Sequence, residues 1–226
     1  MILASLFCGI DEAGRGPVIG PMVLCCASVD RKGMEKLAKL RVRDSKKVSP
    51  GRREHLEPLI KTIVEEWVIA KISPQEIDVM RKSISLNALE AIKTAQLIVS
   101  LKQKPTRITV DATDNIAEDY RKRIVDHIKI LKPDYRVPEF ISEHKADVNY
   151  IEVSAASIIA KVERDREIEE LKKKHGDFGS GYPADPLTQK FLHELVRREG
   201  GLPDFVRKSW NTVSKSRQAT LGDFGK

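Results

Sequence analysis

Two adjacent carboxylic acids, Asp11 and Glu12, follow an apolar run over residues 2–10 that predicts a buried strand. A Gly-Arg-Gly-Pro turn comes almost directly after them, and Gly14 and Gly16 let the backbone approach a ligand closely. Adjacent strand residues point to opposite faces, so one site can use both acids only if the chain turns or Glu12 reaches around the strand. The pattern favours a metal or acid–base site over the alternative, a tight turn with an exposed acid pair.

Two further acids occupy comparable places. Asp111 ends a β-branched run over residues 107–110, and Asp147 precedes the small-residue start of a long helical pattern. Sites in α/β sheets form where strand ends meet helix starts, so Asp11, Glu12, Asp111 and Asp147 can converge. Carboxylates in one cleft repel each other unless cations neutralise them. Oxygen ligands select Mg²⁺ or Mn²⁺, and a two-cation site suits in-line displacement at phosphorus.

The composition points to a polyanionic partner. The chain has 226 residues, a net charge of +7 and a sequence pI of about 9.2. A basic protein with an acidic metal pocket fits a nuclease, because Lys and Arg hold the phosphate backbone while cations act on it. The alternative is a basic protein whose Lys-rich helix faces are merely solvated.

The three cysteines, Cys8, Cys25 and Cys26, lie in apolar runs and are predicted to be buried thiols in a reducing compartment. No stretch reaches the roughly 18 apolar residues that a membrane span requires, and no leader pattern precedes the first strand. We therefore expect a cytoplasmic protein without a membrane partner.

Strand and helix patterns alternate after an initial antiparallel strand pair, which predicts an α/β fold with a mixed sheet flanked by helices. The predicted strands cover residues 2–10, 18–29, 67–72, 107–110 and 137–142. The predicted helices cover residues 50–65, 86–102, 117–131, 151–174 and 186–198, with a short one beginning near residue 73. Helices dominate the last third, which predicts a helical C-terminal subdomain.

The motifs at residues 11–16, 44–47, 110–111, 145–147, 154–165 and 181–183 resemble, in order, the signatures of ribonuclease HII, most closely its archaeal branch. The resemblance covers about residues 7 to 210. It implies a ribonuclease H-like core over residues 1–165, a helical extension over 166–210 and a flexible tail over 211–226. We also expect a monomer.

The resemblance assigns roles to single positions. Asp11, Glu12, Asp111 and Asp147 match the family's metal-binding catalytic acids. Gly14, Arg15 and Gly16 match the loop that contacts the ribonucleotide 2′-hydroxyl, and Tyr182 matches the tyrosine that stacks on the next, deoxy sugar. Ser45 and Lys46 match residues near a substrate phosphate. Without the resemblance, Tyr182 is equally compatible with a turn aromatic that packs on the core.

The activity that the resemblance implies is two-metal-ion cleavage of RNA in RNA–DNA hybrids and incision 5′ of single ribonucleotides in duplex DNA. The products carry a 3′-hydroxyl and a 5′-phosphate. Two alternatives stay open: another ribonuclease H-like nuclease, such as ribonuclease HIII or a resolvase, and a non-catalytic nucleic-acid-binding module.

The tail resembles a sliding-clamp docking motif in Gln218, Leu221 and Phe224. The second aromatic of that motif is missing, because Gly225 follows Phe224. Leu221 and Phe224 are three residues apart, so one helical turn places them on one face. Two hydrophobic residues on a polar terminus fit a groove on a partner, and the alternative is a frayed terminus.

Overall fold

The computed structural model describes residues 5–42, 48–197 and 201–214. In this part of the chain, five strands form one sheet in the order β3-β2-β1-β4-β5. β1 pairs antiparallel with β2 and parallel with β4, and β4 pairs parallel with β5, so the expected mixed sheet is confirmed. The strands are β1 (Leu6–Ala13), β2 (Met22–Asp30), β3 (Glu66–Ile72), β4 (Arg107–Asp111) and β5 (Glu139–Glu143).

Helices follow the strands along the chain. They are α1 (Arg31–Lys39), α2 (Pro50–Ile63), α3 (Pro74–Met80), α4 (Leu86–Ser100), α5 (Ala117–Leu131), α6 (Ala146–Asn149), α7 (Ile151–His175) and α8 (Pro186–Arg197). The sequence patterns missed α1 and α6. None of these helices combines the length and the apolar character that a membrane span needs.

The second strand begins at Met22, not at residue 18 as the apolar pattern predicted. Gly20 has a φ of +86°, which an extended strand does not adopt, and Ile19 instead forms an isolated antiparallel bridge with Val206. Val18 and Ile19 are fully buried, so their apolar character serves packing without strand pairing.

α7 begins in close contact with β1. A Cβ atom at Gly9 would lie 2.1 Å from the carbonyl carbon of Glu152, so no other residue fits there. Ala155 and Ala156 are fully buried in a core cluster shared with strand residues such as Cys25. The small residues therefore pack the helix on the sheet, as the sequence predicted.

The described chain divides into two compact units. The first comprises Met1–Ala13, Val23–Ala70 and Leu86–Glu163, and it contains nearly all of the sheet. The second comprises Gly14–Met22, Lys71–Ser85 and Arg164–Lys226, and it has its own apolar cluster around Phe178 and Leu192. The division into a core to residue 165, a helical extension and a tail stays a prediction.

Candidate active site

Two of the four predicted acids lie near the carboxyl ends of neighbouring parallel strands, and a third lies in the helix that follows the next strand. Asp11 follows Ile10 in β1, and Ile10 pairs with Val110, the residue before Asp111 in β4. Asp111 in turn pairs with Glu143, the last residue of β5. The chain then enters α6, which carries Asp147. Parallel pairing thus brings Asp11, Asp111 and Asp147 to one edge of the sheet.

The turn between β5 and α6 is tied to Asp111. The backbone N–H of Ala146 donates a hydrogen bond of 3.0 Å to Asp111 Oδ1, and Lys145 adopts a left-handed conformation with a φ of +61°. Asp147 comes next and is fully buried. A carboxylate is seldom fully buried in a protein, so its position here indicates a role beyond packing.

Asp11 and Glu12 start from opposite faces of β1, because the strand continues to Ala13 without a turn. Asp11 accepts a hydrogen bond from Ser157 and lies near Lys161, both on α7. Glu12 acts electrostatically on Tyr120, a buried residue of α5. Both acids could serve one site if the chain turned between them or if Glu12 reached around the strand. Because the chain does not turn there, only the second arrangement is compatible with this backbone.

The electrostatics show that the acids repel one another. Burial raises the pKa of Asp11 well above its usual range, and the charges of Glu12 and Asp111 raise this pKa further. Lys161 and the hydrogen bond from Ser157 act in the opposite direction. Such a carboxylate is stabilised in its charged form by a nearby cation.

The donor set fits a hard divalent cation, because its members are all carboxylates. Among the residues that the structure describes, no group of three or more His, Cys, Asp or Glu side chains is already gathered at metal-binding positions. The backbone therefore brings the acids to one edge of the sheet, and their side chains are not yet arranged as a ligand cage.

The second unit contains the Gly14-Arg15-Gly16 loop and Tyr182. A Cβ atom at Gly16 would lie 3.3 Å from Cε1 of the Tyr182 ring, so the tyrosine packs on the loop. Tyr182 is nevertheless 44% exposed, and the Arg164 guanidinium lies 5.7 Å from the centre of its ring. An exposed aromatic with one edge fixed by the protein can stack on a sugar or base.

Sequence reasoning missed Arg207 and Trp210, which contact the same loop. It also assigned no role to Ser157 and Lys161, although both lie in the matched motif at residues 154–165. A fully buried arginine cannot be recognised from sequence, because arginine is usually exposed. Five predicted site residues lie outside the described part of the chain: Ser45, Lys46, Gln218, Leu221 and Phe224.

Comparison with known proteins supports the resemblance. The family model described as ribonuclease HII matches residues 8–213. Ribonuclease HII of Pyrococcus furiosus is 46% identical over 93% of this chain and 91% of its own length.

Two solved structures are similar throughout. The ribonuclease H2 of Pyrococcus horikoshii superposes with a TM-score of 0.87 at 43% identity, covering 96% of this chain and 99% of the other. The PCNA:RNase HII complex from Archaeoglobus fulgidus contains a chain with a TM-score of 0.82 at 43% identity, covering 96% of this chain and all of that one (100%). The expected ribonuclease H-like fold is thereby confirmed.

Proposed function

Because the chain belongs to the ribonuclease HII family and is therefore a hydrolytic endonuclease of the ribonuclease H type, we propose that it acts on two kinds of substrate. It cleaves the RNA strand of RNA–DNA hybrids, and it incises duplex DNA on the 5′ side of a single embedded ribonucleotide. The products carry a 3′-hydroxyl and a 5′-phosphate.

One observation carries the proposed chemistry: neighbouring strand ends bring Asp11 and Asp111 close enough for their charges to interact, in a buried setting. Asp11, Glu12, Asp111 and Asp147 would hold two divalent cations, Mg²⁺ or Mn²⁺. When bound, such cations lower the pKa of water and stabilise the charge that develops on the leaving oxygen. Ser157, on α7, would hold the Asp11 carboxylate in place through its hydrogen bond.

The second unit supplies substrate recognition. Gly14, Arg15 and Gly16 bring backbone polar groups to the ribonucleotide 2′-hydroxyl, the one group that separates RNA from DNA at a single residue. Tyr182 stacks on the following sugar, where an aromatic ring leaves no room for a second 2′-hydroxyl. Ser45 and Lys46, which do not belong to the second unit, contact a substrate phosphate.

A basic cleft in the second unit supports a nucleic-acid substrate. The cleft has a volume of about 340 Å³ and is lined by Arg81, Lys82, Lys208, Asp78 and Ser209. The Asp78 carboxylate accepts the backbone N–H groups of Lys208 and Ser209 at 2.7 and 2.9 Å. Three cationic residues and one carboxylate that already has backbone donors therefore line the cleft, and Lys208 also pairs with Asp204 at 3.6 Å. The excess of positive charge favours an anion such as a backbone phosphate.

The proposed protein partner is a sliding clamp, which the tail at Gln218, Leu221 and Phe224 would bind. The support is the solved structure of an Archaeoglobus fulgidus ribonuclease HII in complex with PCNA, 43% identical to this chain. The enzyme itself acts as a monomer.

The deciding experiment is an incision assay on a duplex with one ribonucleotide, with Mg²⁺, with Mn²⁺ and with EDTA. We expect cation-dependent cleavage on the 5′ side of the ribonucleotide and none of the all-DNA duplex. Asp126→Asn, an exposed acid in α5, serves as a control for Asp11→Asn. Binding without cleavage under every condition would instead support a non-catalytic nucleic-acid-binding module.

A further inference from the structure

We propose that Arg207, together with Trp210, is a positioning residue that holds the Gly14–Gly16 turn in the conformation that reads the 2′-hydroxyl. The inference rests on the proposed role of that turn in ribonucleotide recognition. Residues 14–20 form the segment that we call the recognition loop. All the contacts that follow lie within the second unit.

Arg207 is the largest fully buried side chain in the described residues, with no exposed surface. A buried guanidinium is unfavourable unless its N–H groups are used in hydrogen bonds. All three of its nitrogens donate to recognition-loop carbonyls: Nε to Gly20 O at 2.9 Å, Nη1 to Arg15 O at 2.8 Å and Nη2 to Gly14 O at 2.5 Å. The rigid, planar fork therefore links both ends of one short loop.

The two ends of the recognition loop are glycines with positive φ angles. Gly14 has a φ of +79° and Gly20 a φ of +86°, conformations that glycine adopts readily and other residues rarely do. Glycine also loses the most conformational freedom when it becomes ordered. A loop bounded by two such residues needs an external partner to keep one conformation, and the Arg207 guanidinium contacts the carbonyl of each.

Backbone pairing aligns the Arg207 segment with the loop. Arg207 N–H donates to Val18 O at 2.8 Å, and Gly20 N–H donates to Phe205 O at 2.9 Å. The Ile19–Val206 bridge lies between them. The segment therefore runs alongside the recognition loop as a short paired strip, which fixes the direction from which the guanidinium approaches.

Trp210 contacts the last residue of the turn. Its indole Nε1–H donates to Gly16 O at 3.1 Å. Two guanidinium groups lie close to the indole ring, those of Arg81 at 4.8 Å and Arg207 at 4.9 Å from its centre. Cation–π contacts of this kind hold the ring in place. The carbonyls of Gly14, Arg15 and Gly16 thus all accept hydrogen bonds from Arg207 or Trp210.

The consequence concerns discrimination between ribose and deoxyribose. A single hydroxyl can be distinguished only by polar groups held close to their productive geometry. The same loop also orients Tyr182, because Val18 N–H donates to Gly181 O at 2.8 Å and Gly16 contacts the tyrosine ring. Loosening the turn should therefore weaken selection of the ribonucleotide without reducing general attraction to DNA, which depends on charge.

The test compares binding by the full-length protein in EDTA to two duplexes that differ only in one 2′-hydroxyl. Trp210→Phe keeps an aromatic ring near the two guanidinium groups and removes the Nε1–H donor. We expect it to reduce the preference for the ribonucleotide duplex by about threefold to tenfold, the usual effect of removing one hydrogen bond. Its affinity for the all-DNA duplex and its unfolding temperature should match those of the wild type.

Arg207→Lys keeps the charge but presents one nitrogen in place of three, and we expect a larger loss of preference. Trp67→Phe is the matched control, because Trp67 lies in the first unit beneath Lys61, 4.0 Å from its ring centre. It should behave as the wild type.

Wild-type preference in both Trp210→Phe and Arg207→Lys would overturn the proposal. The proposal would also be overturned if Trp210→Phe bound both the ribonucleotide duplex and the all-DNA duplex more weakly and unfolded at a lower temperature. The contacts would then serve stability alone. A wild-type protein that binds both duplexes equally would refute the proposed role of the recognition loop itself, and the inference would fall with that premise.

Discussion

Ala146 donates its backbone N–H to Asp111 Oδ1 over 3.0 Å. The donor is the residue just before Asp147, and the acceptor ends β4, so one hydrogen bond couples the orientation of two of the four predicted acids. Asp11 joins them because β1 and β4 run parallel in adjacent register. The candidate site is therefore assembled by backbone geometry first, and its side chains repel one another.

The first prediction follows from that repulsion. Asp11→Asn should reduce Mg²⁺-dependent incision by more than about a hundredfold. Replacing a residue that only supports a metal ligand usually costs about tenfold to a hundredfold, so a larger loss indicates a direct ligand. In EDTA it should unfold at an equal or higher temperature than the wild type, because burial and the charges of Glu12 and Asp111 raise the pKa of Asp11 and so disfavour its ionised form.

Incision rates and thermal unfolding in EDTA check both parts, with Asp126→Asn as the control. Full activity in Asp11→Asn would remove this acid from the site. A variant that merely unfolds would show that Asp11 serves the fold instead.

The sequence predicted the mixed sheet and the strands that carry Asp11 and Asp111 well, because strands depend on local patterns. The metal-binding role of the acids stays a prediction. Apolar and β-branched runs predicted β1 and β4, and the small residues before Ser157 predicted the close packing of α7 on the sheet. The predicted start of the second strand at residue 18 was wrong for a physical reason. Val18 and Ile19 are apolar because they are buried by distant residues such as Val206, not because they pair in the sheet.

Helix α1 was missed although its start signal is present. Asp30 caps the helix, and its carboxylate accepts the backbone N–H of Gly33 at 2.6 Å. The apolar run that ends at Val29 concealed this boundary, and a glycine within a charged segment argues against a helix. Arg207 could not be predicted at all, because its burial depends on contacts with residues nearly two hundred positions earlier.

The second prediction concerns Tyr182. Tyr182→Ala should reduce incision at a single ribonucleotide by about tenfold or more, since stacking is worth roughly 1–3 kcal/mol per contact. The loss on a long RNA–DNA hybrid should be smaller, because the enzyme can bind and cleave a hybrid at many positions but a single ribonucleotide at only one. Tyr182→Phe retains the ring and should stay close to wild type. Equal losses on both substrates with Tyr182→Ala would contradict a role at the junction.

The third prediction concerns the basic cleft. If it holds a backbone phosphate, the Lys82→Ala, Lys208→Ala double variant should bind all-DNA duplex more weakly. The slope of log affinity against log salt should become shallower by about one for each phosphate that the variant no longer neutralises. Lys173→Ala is the control, because Lys173 is an exposed lysine of α7 that pairs with Glu170 at 2.7 Å. An unchanged slope in the double variant would exclude the cleft from the DNA-binding surface.

The fourth prediction concerns alkaline stability. Burial raises the pKa of Cys25, and the contact with Cys8 together with burial raises that of Cys26, both well above the ordinary thiol value of 9.0. Groups whose pKa is raised on folding stabilise the protein fully below their unfolded pKa, and this stability is lost as pH rises through the folded pKa. The free energy of unfolding should therefore fall above about pH 9.

Urea unfolding between about pH 8 and about pH 10.5 measures that slope. Cys25→Ala removes one ionising thiol, so its slope should be shallower, even though the smaller side chain lowers stability at every pH. A slope identical to that of the wild type would show that Cys25 does not contribute to alkaline unfolding.

The last prediction concerns the end of the tail, residues 215–226, which lies outside the described residues. Gln218, Leu221 and Phe224 present two hydrophobic side chains three positions apart on a polar terminus, and such anchors bind grooves of partner proteins. Deleting residues 218–226 should eliminate co-elution with a sliding clamp and leave incision of short free duplexes unchanged. Leu221→Ala with Phe224→Ala should reproduce the deletion, whereas Lys226→Ala should not. A tailless protein that still binds the clamp, or one that loses incision of short duplexes, would refute this role.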